Sequence, residues 1–585
     1  MAVLVGLSLL IGAIVMVISM PQAPGYELSI YEAFPSVFWA FLVAAIGVGA
    51  FVIVGSALRK SDHTWRWGLL LMILANLLLV LLPVIRGYRM FGRSDAMTHL
   101  GFSHDIGILG TVDGNLYPPA HLLIRAVVDS TGMDPVTVGM LIPPLFTLLY
   151  FGAMGLLVFT VFDTRRVILL TLPFVALPVL RHGHLGLRPF DLSVMLLPIM
   201  LYLLAKGHQE AFAPIRAMSV IALIAVLLYH PLTAFFVTGL VLIYVTAKHL
   251  PLAQDRYSTP TSVFSLSAAV FVAWYSNYSG IIVRFQSAYH EFVGSDEETE
   301  TRADAYAATV EQASPAVLDI VRVIAFRYGL EFVLFGLGFA FLGLMTLQYL
   351  QWGDRPDTVT FAFLGTLVLF SVGGVGFLLL DLIVPMERPF QIAKVVAIVL
   401  VGQLFASLYP GNIGIQSQTW QLRSFYTAIA GVLLVLILLS VFSLHLSPLG
   451  SEVNQQVTEM EIEGSEWAFN HSDQEYDVVE FDLSHRRFHH YHYGVEHEFT
   501  VQGERPPDHF NYQAGPTFGE FYEDDKHLVI NELGRVVYPE GFPNYPENWR
   551  FTPDDYERLE VDPTVDRAYD NGDYNTYLVR ATDAA

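Results

Sequence analysis

The chain has no cysteine among its 585 residues, and only 15% of them are charged. The missing cysteines exclude a disulfide scaffold, thiolate chemistry and cysteine-bound zinc. The missing charge stands against 54% hydrophobic residues and a mean hydropathy of +0.48. That excludes an ordinary soluble enzyme, in which about a quarter of the residues are charged. Lysine is scarce as well: Lys60, Lys206, Lys248, Lys394 and Lys526 are all there is, and arginine supplies the rest of the 32 basic residues. With a formal net charge of −23 and no basic stripe, the chain is read as binding no nucleic acid.

The charge is unevenly placed. Residues 446–585 hold 30 acidic and 9 basic residues, leaving 25 acidic and 23 basic in residues 1–445. A nearly neutral apolar body therefore carries a strongly acidic tail. The acidic, lysine-poor, arginine-using composition is similar to that of haloarchaeal proteins.

A membrane span takes about 20 apolar residues. Runs of that kind occupy 2–20, 34–57, 67–85, 137–161, 189–205, 262–280, 328–350, 358–380, 391–409 and 424–444. A shorter run at 167–180 is bracketed by Arg165, Arg166 and Arg181. The run 218–246 is broken by Tyr229-His230-Pro231 and reads as two short helices, because proline removes a helix hydrogen bond and starts helices well. The expected fold is an all-α polytopic membrane domain over 1–445 with about 13 transmembrane helices. Segment 2–20 has no basic flank and no small-x-small cleavage site, so it reads as a membrane helix rather than a signal peptide.

Arg59, Lys60 and Arg66 in the second loop place the N-terminus in the cytoplasm. A multi-pass cell-membrane protein follows, with the loops 86–135 and 281–327 and the C-terminal domain outside. A single kinked helix over 218–246 would give 12 spans and reverse everything downstream. Residues 446–466 read as a linker and 467–585 as an acidic, β-rich (α+β) soluble domain. Its strand signals are 476–481, 487–493 and 527–530, with a short helix at 553–558 and Asn571-Gly572 as a hairpin turn. The histidines His485, His489, His490, His492 and His497 read as polar strand surface in preference to a metal site.

On this topology Arg86, Arg89, Arg93, Arg181, Arg188 and Arg388 collect on the face where positive charge is normally avoided. Either an anionic ligand sits there or the topology differs. The most polar loop runs from Arg86 through Gly92-Arg93-Ser94-Asp95, His99, His104-Asp105 and Asp113 to Tyr117-Pro118-Pro119 and His121. Asp95 and His99 are one helical turn apart and share a face, as do His121, Arg125 and Asp129. The apolar residues between His121 and Asp129 make that stretch an amphipathic helix lying in the interface.

In this layout, with Gly92-Arg93-Ser94-Asp95 in the first large loop and a Tyr117-Pro118-Pro119 turn before an interfacial helix, the chain resembles the GT-C membrane glycosyltransferases. Members of that group take sugars from polyprenyl-phosphate carriers. The residue-level match covers about 86–130. The layout is also similar to that of archaeal oligosaccharyltransferases, but their Trp-Trp-Asp motif is absent, which favours transfer of a single sugar.

The resemblance implies that Asp95 is the catalytic base and that Arg388, in Pro385-Met386-Glu387-Arg388-Pro389, binds the lipid phosphate. Arg388 could instead pair with Glu387 or Asp381. Arg93, Arg181 and Arg188 are further substrate-binding candidates, with Tyr117, His99 as an orienter of Asp95, and His230, whose apolar flanks also suit a helix cap. The partners implied are a dolichol- or polyprenyl-phosphate sugar donor, a glycan acceptor on a glycoprotein or lipid, and membrane lipids. No cofactor is implied, although His104, Asp105 and Asp113 beside Asp95 are residue types that hold a divalent cation. Two other readings stay open. A transporter or lipid-linked-glycan flippase would show internal repeats and charges near the bilayer midplane. A non-catalytic cell-surface assembly protein would leave loop 86–130 dispensable.

Overall fold

The computed structural model describes residues 1–57, 59, 63–93, 95–209, 213–247, 249–250, 261–280, 282–283, 286, 315–379, 385–409, 419–473, 475–481 and 484–582. The body is helical: α1 (Ala2–Ser19), α2 (Ile30–Ala33), α3 (Ser36–Ala57), α4 (Trp65–Ile85), α5 (Asp95–Leu109), α6 (Pro118–Thr131), α7 (Pro135–Val161), α8 (Arg165–Val175), α9 (Pro189–Gln209), α10 (Ala213–Tyr229), α11 (Pro231–Ala247), α12 (Thr261–Tyr275), α13 (Val317–Trp352), α14 (Thr358–Leu379), α15 (Glu387–Ser407) and α16 (Thr419–Phe442). Among the described residues nine of these are long and apolar enough to cross a membrane, and α10, α11 and α12 are shorter apolar helices. The run 218–246 is two helices that meet at His230. Helix α13 starts well before the expected span at 328, inside the loop 281–327; residues 287–314 of that loop lie outside the described residues.

Helices of this composition gain little from burying apolar side chains against one another in lipid, so close backbone approach matters. Gly49 on α3 and Gly68 on α4 show it: a Cβ on either would stand 2.7 Å from the other's carbonyl oxygen. Helix α15 is buried on nearly all sides, as expected of a helix that is hydrophobic all round.

After the body come α17 (Glu459–His471), α18 (His485–Tyr493), α19 (Glu532–Val536) and α20 (Pro553–Leu559). The strands are β1 (Met90–Phe91), β2 (Gln456–Val457), β3 (Val478–Glu480), β4 (Gly503–Glu504), β5 (Lys526–Asn531), β6 (Val565–Asp570) and β7 (Tyr574–Val579). Five form one sheet in the order β4-β3-β5-β7-β6. In it β3 runs parallel to both β4 and β5, and β5-β7-β6 are antiparallel. The β6–β7 hairpin turns through Asn571-Gly572, where Gly572 takes φ 104°, a value that favours glycine.

Alternation along the strands sends their side chains to two cores. Val479, Leu528, Ile530, Tyr577 and Val579 pack into an aromatic core with Phe510, Phe518, Phe551 and Tyr556. Val478, Val529 and Tyr574 face the other way and join the core of the body.

Two expectations are corrected. Residues 446–466 are not a loose connector. Gln456 and Val457 pair with Phe91 and Met90, and a capping box between Thr458 and Glu461 starts α17. Residues 487–493 are helix, not strand. Arg487, His490 and Tyr491 face the body, while His485, His489 and His492 face Phe469 of α17. This is helical spacing on both sides.

Candidate active site

The N-termini of five helices gather at one end of the body. Helix α5 begins with Asp95, α6 follows Tyr117, α9 begins beside Arg188 and Phe190, α11 follows His230, and α15 begins with Glu387-Arg388. Ring contacts join four of these starts. Tyr117 stacks on His230 at 5.1 Å and 10° between planes, His230 meets the edge of Phe190 at 5.4 Å, and the Arg388 guanidinium lies over Phe190 at 5.3 Å. Each helix start carries partial positive charge, so the cluster favours an anion.

Asp95 is exposed and ion-paired with Arg487 of α18 at 3.2 Å. Arg487 also donates to the Thr98 hydroxyl at 2.6 Å. Nothing in the spacing around Asp95 pointed to Arg487, because it comes from the far end of the chain.

His99 is buried one turn after Asp95. Burial pushes its pKa down to about 4, with the Asp95 charge acting the other way. Asn115 Oδ1 accepts from the Tyr117 backbone N–H at 2.9 Å and lies 2.9 Å from His121 Nδ1. His121 Nε2 is in turn 3.0 Å from His99 Nδ1. This pattern assigns protons to both Nδ1 atoms and leaves His99 Nε2 as an acceptor. His230 Nδ1 accepts from the Leu232 backbone N–H at 3.2 Å, the capping role that its apolar flanks suggest, while its ring holds Tyr117.

The arginines separate into two groups. Arg93 is buried against Glu461 at 2.6 Å, and Arg181 is buried against Glu452 at 2.6 Å. Arg86 pairs with Glu27, and Arg89 with Asp134 and Glu459. Acidic groups of the chain itself thus already pair with Arg93 and Arg181.

Arg188 pairs with Asp191 at 2.8 Å and stays partly exposed. Arg388 forms no ion pair and no side-chain hydrogen bond among the described residues. Its alternative partner Glu387 lies 3.9 Å from Arg327 and accepts from Tyr328, and Asp381 lies outside the described residues. The Asp191, Arg188, Tyr117 and Asp95 side chains are within its electrostatic reach. His182 sits beside this group, held well below its ordinary pKa by burial and by Arg188 and Arg181, and its Nδ1 has no hydrogen-bond partner among the described residues.

The divalent-cation candidates do not assemble. Asp105 accepts instead from the backbone N–H groups of Val495 and Glu496 at 2.7 and 3.2 Å. No group of metal-ligating side chains forms among the described residues.

No family model and no curated protein matches the chain. Solved structures do. The oligosaccharyltransferase of Archaeoglobus fulgidus, tethered to an acceptor peptide containing an NVT sequon, is similar over 83% of this chain and 70% of its own, with 12% identity and a TM-score of 0.47. ArnT from Cupriavidus metallidurans bound to undecaprenyl phosphate is similar over 88% and 98%, with 11% identity and a TM-score of 0.44. The mycobacterial arabinofuranosyltransferase AftD is similar over 90% of this chain and 42% of its own, with 13% identity and a TM-score of 0.46.

Proposed function

We propose that the chain is a membrane glycosyltransferase that moves one sugar from a polyprenyl-phosphate carrier to a hydroxyl of an acceptor glycan. The observation that carries this reading is Arg388. It is a half-buried guanidinium without a carboxylate partner among the described residues, set where helix N-termini meet and within electrostatic reach of an exposed carboxylate, Asp95. A cation with no ion pair among the described residues suits an anionic ligand, and a guanidinium fork suits phosphate oxygens.

In this scheme Asp95 takes the proton from the acceptor hydroxyl as that oxygen attacks the anomeric carbon. The bond from that carbon to the phosphate oxygen breaks, and the lipid phosphate leaves carrying the new negative charge. Arg388, helped by Arg188 and the helix N-termini, stabilises that charge. Attack from the face opposite the leaving phosphate inverts the anomeric centre. Tyr117 and Phe190 supply flat apolar walls, and His99 lies between Asp95 and the His121–Asn115 relay. A dolichol-phosphate hexose such as mannose is the donor proposed, and the glycan of a surface glycoprotein is the acceptor. We take α8 and α10–α12 to cross the membrane with the nine longer helices, the N-terminus to be cytoplasmic, and the acidic domain to lie outside.

The test is transfer of radiolabelled sugar from a panel of polyprenyl-phosphate sugars by the purified protein in nanodiscs. Asp95→Asn should lower transfer by about 10²–10⁴-fold, the range of a general base, with the melting temperature unchanged. An active Asp95→Asn removes Asp95 from the chemistry. A wild-type protein that transfers no sugar from any donor in the panel overturns the reading.

A further inference from the structure

Asn115, His121 and His99 form a hydrogen-bonded chain that is anchored at one end and open at the other. Asn115 is buried and held on three sides. Its carbonyl oxygen accepts from the Tyr278 hydroxyl at 2.9 Å, its backbone N–H donates to the Val112 carbonyl oxygen at 3.1 Å, and its Oδ1 accepts from the Tyr117 backbone N–H at 2.9 Å. The last bond fixes the amide, because a flip would turn its NH₂ group toward another donor. Oδ1 is therefore the acceptor toward His121 as well, so His121 Nδ1 carries a proton and its Nε2 does not. His99 Nδ1 then donates to His121 Nε2. The rings are held too: His121 stacks on Phe102 at 5.0 Å and on His99 at 5.1 Å, and Tyr117 meets His99 edge-on at 5.7 Å.

The chain ends at His99 Nε2. This atom is an unprotonated acceptor with no hydrogen-bond partner among the described residues, and in a ring that keeps 8% exposure it is not sealed off. It belongs to the cleft: Asp95, Arg487 and Arg188 act on His99 electrostatically, and His99 acts on His230. Burial holds the ring at a pKa of about 4, with Asp95 opposing and Arg487 and Arg188 adding to the shift, so it is neutral at physiological pH.

What such a nitrogen takes follows by elimination. Phosphate and carboxylate oxygens are acceptors only and find no partner in it. A metal ion or an ammonium group would stand within reach of two guanidinium groups, which repel it, and no group of metal-ligating side chains forms among the described residues. A hydroxyl donates without bringing charge.

We propose that His99 Nε2 accepts a hydrogen bond from a sugar hydroxyl in the cleft, and that Asn115 and His121 are positioning residues that keep this acceptor unprotonated. That the hydroxyl belongs to a sugar rests on the glycosyl-transfer reading above. A site built to pair a substrate hydroxyl rejects an analogue that lacks it, because its own polar group is then left unpaired. His99 is thus a specificity-determining residue.

The test is ¹⁵N solid-state NMR of the full-length, histidine-labelled protein in nanodiscs, with the His99 signals identified by their loss in His99→Phe. At pH 7 His99 should show a protonated Nδ1 and an unprotonated Nε2. The sample is then titrated with methyl α-mannoside, methyl α-glucoside, methyl β-galactoside, dolichyl phosphate mannose and Zn²⁺. At least one sugar should shift the Nε2 signal saturably. A shift from the lipid-linked sugar alone puts the hydroxyl on the donor, and one from a free glycoside puts it on the acceptor; either supports the proposal. His121→Phe keeps a stacked ring but removes the acceptor of the His99 Nδ1 proton, so a second His99 tautomer should appear. Asn115→Asp keeps an acceptor and should preserve the single tautomer that Asn115→Leu loses. In transfer assays His99→Phe should raise the KM of the hydroxyl-bearing substrate at least tenfold and change kcat less, and His99→Gln, whose amide oxygen accepts, should recover part of the loss. A sugar-induced shift in a protein that transfers nothing supports the acceptor and sinks only the activity. A wild-type His99 protonated on Nε2, an Nε2 signal that answers Zn²⁺ and no sugar, or unchanged KM values in His99→Phe overturns the proposal.

Discussion

Arg388 and Arg93 are the same residue type on the same face of the bundle, yet their surroundings differ in kind. Arg93 is closed into a buried pair with Glu461, while Arg388 has only the ring of Phe190 among the described residues. Removing Arg388 should therefore harm transfer and spare the fold. Arg388→Ala is expected to lower kcat by about 10²–10³-fold, the size of a lost electrostatic stabiliser. Arg388→Lys should restore part of that, because charge returns without the planar fork. Steady-state kinetics with a fixed donor decides it. Equal rates for Arg388→Ala and the wild type would place the phosphate elsewhere. The arginines of these loops were legible in the sequence as a group. Which of them is available was not, because Glu452, Glu459 and Glu461 reach them from the other end of the chain.

At the scale of elements, α5 and α18 form the joint between body and acidic domain. Gly101 lets them meet: a Cβ there would collide with the His490 carbonyl oxygen. Gly101→Val should push α18 away, break the Arg487–Asp95 pair and weaken transfer at least tenfold, although neither residue of the pair is changed. Faster proteolysis of the acidic domain would report the undocking. Glu461→Ala tests the same joint energetically. It leaves the buried Arg93 guanidinium without its carboxylate, a change that costs about 3–5 kcal/mol. A lower melting temperature in detergent is the readout.

The helix α18 was hidden in the sequence for a physical reason. Its histidines, tyrosines and Phe488 suit a strand by propensity. The helix after Pro118-Pro119 was legible, because proline at N1 is a local signal.

For the whole molecule, acid should act through the buried histidines. Burial pushes the pKa of His485 down to about 3 and that of His489 to about 4, with neighbouring histidines adding to the shift. In the unfolded chain a histidine titrates near 6.5, so between about pH 6.5 and 4 the unfolded state binds more protons than the folded one. Stability from these groups is complete above about pH 6.5 and is lost as pH falls through that window. The melting temperature should drop on acidification from pH 7 to pH 4.5, and it should drop less in His489→Gln than in the wild type. Equal drops would mean that His489 titrates normally in the folded protein.

The helical membrane body, the break at His230-Pro231, the acidic tail and its Asn571-Gly572 hairpin were determined by the sequence, because each rests on a run, a period or a pair of neighbours. The tertiary structure alone decided what the charges do. It closed Arg93 and Arg181 with glutamates, left Arg388 over Phe190, and set Arg487 against Asp95. It also turned 446–466 from an expected linker into part of the joint. Charge pairing acts over a few ångströms regardless of chain separation, so where the acids of the tail come to rest is a property of the fold.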